Sequence, residues 1–520
     1  MSSISMANND NAIYYCLLFF MSLISIFLMR LLIKTCTNFG SSIRHPPSPL
    51  ALPIIGHLHL VGTAFPKSFQ TLARRYGPLM QLRIGSSTFV VASSASIAKE
   101  IFKTHDLKFA SKFEMGPKDY NIYQGTGFIT APYGAYWKFM RRLCITELFA
   151  GSQFDRFNRI REQEIINLLK SLMGCAKKGE VCDLNLELET LTNNSICKMA
   201  MSRRFSDKDD EAKKMRKMVS EIMEAGAKLG IHQVFGVLKK FDIFGHGKKL
   251  QEATMAFDGV MEQIMKDYEE SLVDGGENEE KDVMHVLMQT YKNTEAEVKL
   301  TRTQIKHFIL ELFMASVDTE SAAIQWAMAE LINHPSVFKK LRDEIHSVVG
   351  SCNRLINVSD FPNLPYLQAI VKESLRLHTP GPIIHRECTK DCQINGFDIK
   401  ANTKILINAY AIMRDPDTWH DPDVYIPERF LVGPRGEFDK SEMEMKRHDF
   451  SYLPFGGGRR ICPGSPHAYA LMHSVIGALV QCFDWKVKDG ENIDINIANG
   501  FSGTMAPPLL CYPITHFNPF

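Results

Sequence analysis

One cysteine in this chain stands where it could hold a metal or attack an electrophile. It is Cys462, in the stretch Phe450-Ser-Tyr-Leu-Pro-Phe-Gly-Gly-Gly-Arg-Arg-Ile-Cys-Pro-Gly464. Glycines ahead of it let backbone approach whatever the sulfur touches, since no Cβ intervenes. A mostly apolar segment of helical length, Ala468 to Phe483, follows. Pro463 suits a first helical position, and the positive end of such a helix favours the ionised thiolate. A thiolate so held is a metal ligand or a nucleophile. A second candidate is the pair Asp318-Thr319. Ile305, Phe308, Ile309, Leu312 and Phe313 recur at helical spacing as a core-facing stripe, and Met314-Ala-Ser-Val-Asp-Thr-Glu-Ser321 breaks it. An acid beside a hydroxyl in a buried helix costs free energy unless bonded or used. The plain alternative is a threonine bonding back to a carbonyl one turn earlier. Trp137 with Arg141, and Glu373 with Arg376, are spaced to share one helix face each.

The elements that must position these residues are mainly helical. Helical patterns dominate from about Ala135 to His378, while Leu79 to Ile84 and Thr88 to Ala92 read as short strands. Asn395-Gly396 and the run Asp398 to Ile407 read as strand, turn and strand. Asp274 to Asp282 reads as a solvated loop. The 520 residues, 45% hydrophobic and 23% charged, supply a large core, and a net charge of +2 gives no reason to expect nucleic acid. Twelve cysteines without a CxxC pair argue against a disulfide scaffold. Ala12 to Met29 is an uncharged apolar run with Arg30, Lys34 and Arg44 after it and no Lys or Arg before it. That bias reads as an uncleaved, single-pass N-terminal transmembrane helix with the remainder in the cytosol. Prolines 46, 47, 49 and 53 then form a semi-rigid spacer. The expected division is an anchor over 1–34, a hinge over 35–56 and one catalytic domain over 57–520.

The spacing Phe455-x-x-Gly458-x-Arg460-x-Cys462-x-Gly464 resembles the haem-binding loop of the cytochrome P450 family. The proline hinge, Trp137-x-x-x-Arg141, Ala315-Ser-Val-Asp-Thr319, Glu373-x-x-Arg376 and Pro427-Glu-Arg-Phe430 stand in that family's order, and the likeness spans about residues 46 to 510. The plant microsomal members are the nearest in look. The resemblance implies a mainly α cytochrome P450 fold with small β-sheets and a haem b whose iron takes Cys462 as axial thiolate, a ligand that favours O–O scission. It implies Trp137, Arg141, Arg386 and Arg460 at the haem propionates, with Phe455 and Gly464 also against the cofactor. Thr319 would hold a water beside the dioxygen and Asp318 would relay protons from solvent. Glu373, Arg376 and Arg429 would form a buried structural triad. Electrons would come from NADPH through a membrane-bound reductase, with Lys138, Arg142 and Arg459 as candidates for its docking face.

The segment departs from the family pattern twice: Ser316 replaces the usual glycine, and Glu320 the usual Thr or Ser. Both leave haem binding intact but bear on proton delivery. A haem-thiolate isomerase or dehydratase, needing neither O2 nor reductase, is the runner-up, although such enzymes typically lose the acid–threonine pair or alter the cysteine loop. Substrate recognition would fall on Ser111 to Thr130, Ile222 to Phe244, Ile309 to Thr319, Thr379 to Ile384 and Phe501 to Ala506. The pocket candidates there are Phe128, Phe313, Ser316, Val317, Ile383, Ile384 and Met505. Their apolar cast favours a bulky hydrophobic plant metabolite, a terpenoid or triterpenoid before a flavonoid. By the same resemblance the protein would sit at the endoplasmic reticulum membrane.

Overall fold

In the computed structural model, the longest helix is the frame on which the molecule is built. The structure describes residues 43–113, 120–148, 151–202, 210–232, 242, 244–273, 282–350, 354–432, 437–438, 448–487, 492–500 and 503–520, plus six helical residues between 14 and 25. The helix in question, α8 (Arg302–Asn333), has 32 residues, roughly 48 Å at 1.5 Å per residue. It starts where Thr301 and Gln304 cap each other: Gln304 N–H donates to Thr301 Oγ1 at 3.2 Å, and Thr301 N–H to Gln304 Oε1 at 2.9 Å. Its ends lie in different cores. Phe308, Ile309 and Phe313 pack with α2 (Ala135–Leu143), α6 (His246–Val273) and α7 (Val283–Lys292). Ile324, Trp326 and Met328 pack with α3 (Gly151–Lys178), α4 (Leu184–Met201), α9 (Pro335–Val349), α10 (Pro365–Leu377) and α11 (Ser465–Cys482). A helix apolar around most of its girth belongs in such a position.

Four strands form a side sheet in the order β1 (Leu79–Ile84), β2 (Ser87–Ala92), β7 (Lys404–Asn408), β4 (Ile383–Glu387). β1 and β2 are antiparallel with Leu79 opposite Ala92, β2 and β7 are parallel with Phe89 opposite Lys404, and β4 runs against β7 with Ile383 opposite Asn408. The predicted Asn395-Gly396 turn joins β5 (Cys392–Ile394) to β6 (Phe397–Ile399); both turn residues have positive φ, 49° and 76°. A separate three-stranded sheet sets β3 (Cys182–Asp183) beside the C-terminal pair.

The proline segment is less free than a spacer. Arg44 and Asp398 exchange two hydrogen bonds, at 2.8 and 2.7 Å, and Gln81 N–H on β1 donates to Pro47 O at 2.8 Å. His57 binds both Pro49 O, at 2.9 Å, and Arg83 N, at 2.7 Å. Arg44 is thus tied to β6, and from Pro47 onward the chain lies along the outer edge of β1. The predicted anchor falls outside the described residues except at those six helical positions. Among the described residues no helix is long and apolar enough to cross a membrane.

Glu373, Arg376 and Arg429 meet as the sequence suggested. Arg376 donates to both oxygens of Glu373, at 2.7 and 2.9 Å, and Arg429 Nε adds 3.0 Å. Glu373 and Arg376 have 0% exposure, and Arg376 also donates to the carbonyls of Met413 and Pro422. A buried pair held so fully ties α10 to the segment before the cysteine loop. Tyr452 then fastens that loop to α10 by donating to Lys372 O at 3.1 Å.

Candidate active site

The loop from Phe450 to Gly464 takes its shape from its glycines. Gly456 and Gly458 sit at φ of 76° and 67°, where a side chain is strained. A Cβ on Gly457 would come within 2.8 Å of the Phe102 ring. Cys462 N–H closes the loop on Phe455 O at 3.0 Å. Because that closure uses the backbone through Cys462, α11 begins at Ser465, with Pro466 rather than Pro463 at its first turn. Burial pushes the Cys462 thiol up, while the Gly464 N–H and the Arg141 and Lys112 charges pull the other way. The helix end alone does not ionise it; a bound cation displaces the proton.

A cavity of ≈ 450 Å³ separates this loop from α8, within the range of ligand sites. The face that α8 turns to it is Phe308, Glu311, Leu312, Ala315, Ser316, Thr319, Glu320 and Ala323, alternate steps of three and one residues that trace one stripe of a helix. Thr319 donates to Ala315 O at 2.7 Å and Ser316 to Leu312 O at 2.5 Å. Both hydroxyl protons are thus committed to the helix, and both oxygens are left as acceptors toward the cavity. Ser316 stands in place of glycine with its hydroxyl folded back. Asp318 does not line the cavity; burial pushes its carboxyl up, and it lies in the field of Glu189 on α4.

Of the predicted pocket residues, Phe128, Ser316, Ile383 and Ile384 line the cavity. Phe313 and Val317 do not: each is one step round α8 from a lining residue and is buried against the helices of its N-terminal core. Met505 is likewise packed into the other core. Phe501 lies outside the described residues.

Cations gather at one rim. Arg460 stacks 4.4 Å from the Trp137 ring centre and donates to Ala110 O at 2.6 Å and to Ala131 O. Arg141 donates to Ile461 O at 2.6 Å, and Arg386 to Gly457 O at 3.3 Å. Lys112, which sequence reasoning passed over, joins them. Burial, then Arg386 and Arg460, push its ammonium down to about 7. Burial and Arg460 push Arg386 down to about 9, and burial and Arg141 push Arg460 to about 10. Buried cations that disfavour one another call for anions between them. With a sulfur at the cavity floor, two carboxylates of a flat macrocycle fit this arrangement. Phe455 and Gly464 also line the cavity.

Glu311 was also missed. Its carboxylate accepts from Phe128 N–H at 2.7 Å and Ile129 N–H at 3.0 Å, and burial pushes it up to about 7. It fixes the covering segment 127–131 to α8. Of the three charges expected on a docking face, Arg459 is paired with Asp106 at 2.8 Å, Arg142 with Glu297, and Lys138 lies over the Tyr133 ring at 5.1 Å.

A sequence model described as "Cytochrome P450" matches residues 46–512. Cytochrome P450 705A12 of Arabidopsis thaliana is 42% identical over 91% of this chain and 92% of its own length. The 3,9-dihydroxypterocarpan 6A-monooxygenase of Glycine max is 39% identical over 91% and 94%, and the beta-amyrin 24-hydroxylase of the same plant 39% over 97% and 98%. A zebra fish cytochrome P450 structure with progesterone has a TM-score of 0.74 at 24% identity, covering 86% of this chain and 99% of that one, and matches the fold. The thiolate loop, the cationic rim and the matches over nearly the whole length agree: the chain belongs to the cytochrome P450 family.

Proposed function

We propose that this cytochrome P450 inserts one oxygen atom into a bulky, largely hydrophobic plant metabolite, a triterpenoid before a flavonoid. The family is built on haem iron and takes electrons from a partner reductase, typically NADPH-dependent. When bound, haem supplies the iron at which dioxygen is cleaved. Cys462 would be its axial ligand, with Trp137, Arg141, Arg386, Arg460 and Lys112 about its carboxylates. The observation that carries the substrate class is the wall opposite Cys462. Phe128, Ile129, Phe308, Leu312, Ile383 and Ile384 are apolar, and the hydroxyls of Ser316 and Thr319 have already given their protons to the helix, which leaves an apolar wall with a few acceptors along α8. Glu311 is already committed to two N–H groups. A relative named for beta-amyrin and one named for a pterocarpan mark the two skeletons to test first.

Within this reading the chain's own residues do three things. Glu311 and Arg460 hold segment 127–131 over the cavity and limit water entry. Thr319, its proton given to Ala315 O, accepts a hydrogen bond from a cavity water. The apolar wall presents one carbon edge of the substrate to that site. Residues 1–34 would hold the protein in the endoplasmic reticulum membrane, where such substrates dissolve.

The test is product formation in membranes carrying this protein and a plant reductase, with NADPH. Pentacyclic triterpenes, cyclic terpenes, pterocarpans and flavonoid aglycones are offered, and products are read by mass. One added oxygen on a triterpene is expected. Oxidation confined to the phenolic compounds overturns the substrate class, and rearrangement of a hydroperoxide without NADPH would favour the isomerase reading.

A further inference from the structure

Three side chains that this account leaves unused converge on the cavity wall. Glu320, next to Thr319 on α8, lines the cavity and is 9% exposed. His467, in the first turn of α11, lines it too, with Nε2 3.8 Å from Glu320 Oε1. Arg161, in the middle of α3 and 1% exposed, puts Nη2 3.4 Å from His467 Nδ1 and donates from Nη1 to Asn158 Oδ1 at 2.8 Å. The order fixes the imidazole tautomer. Arginine only donates, so Nδ1 accepts and Nε2 carries the hydrogen, aimed at Glu320.

The charges agree with that line. Burial and Arg161 push His467 down to about 3, so its ring is neutral. Burial pushes Glu320 up to about 8, and Arg161 opposes it. An acid poised near neutral pH and open to a reaction cavity suits proton transfer better than packing. A hydrocarbon would fill the place without the desolvation cost. Asp318, by contrast, does not face the cavity.

We propose that Glu320 is the carboxyl of the cavity wall that delivers protons to the reaction, with His467 and Arg161 as positioning residues. The proposal rests on the oxygen-inserting chemistry of the family and not on which skeleton is oxidised. In the step, the Glu320 O–H bond breaks and its proton passes to a cavity water hydrogen-bonded to Thr319 Oγ1. The carboxylate left behind faces the Nε2–H of His467, and Arg161 supplies the balancing positive charge through that ring. A proton from water restores the carboxyl before the next transfer. Electrons reach the reaction from the reductase, so this step makes and breaks O–H bonds alone.

The experiment uses the full-length holoenzyme with Glu320→Gln, which keeps size and hydrogen-bonding atoms but releases no proton. Glu320→Asp is the conservative rescue and His467→Leu the positioning variant. The first readout needs no turnover: the infrared stretch of carbon monoxide on the reduced enzyme, in H2O and in D2O, which senses hydrogen bonds donated into the cavity. The second is peroxide released per NADPH consumed. The expected result is a carbon monoxide band whose position and D2O shift change in Glu320→Gln, where a weaker amide donor replaces the acid, and return in Glu320→Asp. Peroxide release should rise at least several-fold in Glu320→Gln at unchanged haem content, and by less in His467→Leu. A Glu320→Gln enzyme matching the wild type in band and peroxide overturns the proposal. So does loss of haem from both Glu320 variants, which would make the trio a structural clasp. If no offered compound is oxidised, the substrate reading fails while the infrared band still decides this one.

Discussion

Cys462 carries the sharpest prediction at the scale of single residues. Cys462→Ala should abolish the far-red-shifted Soret band of the reduced carbon monoxide complex, and a surviving band would put the iron ligand elsewhere. Thr319→Ala should keep that band yet waste NADPH as peroxide, because a water placed beside it in the proposed reaction would lose its acceptor. Lys112 yields a pH prediction. Unfolded, a lysine keeps its proton to about pH 10.4; folded and without haem, Lys112 keeps it only to about 7. Between those values the unfolded chain binds more protons, so the Lys112 contribution to haem-free stability rises with pH across that window. Melting haem-free wild type and Lys112→Met at pH 7 and pH 9 isolates it: the variant's advantage should shrink toward pH 9. With haem bound as proposed, its carboxylates would keep Lys112 charged and the pH trend should vanish. Cys462, Arg460 and Trp137, which all line the cavity, could be singled out because their motif spacing is local. Lys112 and Glu311 were not, since they reach the cavity from elements 199 positions apart that only folding brings together.

Elements show the same division. The Asn395-Gly396 turn and the Glu373–Arg376 pair could be read because a turn type or a helical face is decided within a few residues. The rotation of α8 could not. A stripe at helical spacing says that a helix is buried, not which part of its girth meets a cavity, so Phe313 and Val317 were assigned to the pocket and belong to the core. The latch between α8 and segment 127–131 belongs to this scale. Glu311→Ala leaves two backbone N–H groups without their acceptor, a cost of about 1–3 kcal/mol each where water cannot replace it. Substrate binding followed spectrally should weaken several-fold while the carbon monoxide band persists. Unchanged binding would mean the segment is held by Arg460 alone.

For the molecule as a whole, the mainly helical fold with small sheets was legible from pattern and resemblance. The course of α8 between two cores, with the cavity at their junction, was not, because it depends on packing between segments far apart in sequence. Removing residues 1–42 should shift the protein from the membrane pellet toward the soluble fraction with its carbon monoxide band intact. A truncated protein that pellets as before would assign the attachment to the folded part.

The lie of residues 47–57 along β1 bears on solubility. β1 is an edge strand, and an uncovered edge is a template for another chain. The segment covers it with a run whose prolines have no N–H to offer, so pairing stops there. A chain cut after Pro53 would lose the Pro47 contact and bare the edge at Gln81, while Ile55 and His57 would still pair with Gly85 and Arg83. It should self-associate more readily than one beginning at Ile43, although it is the shorter and carries less apolar sequence.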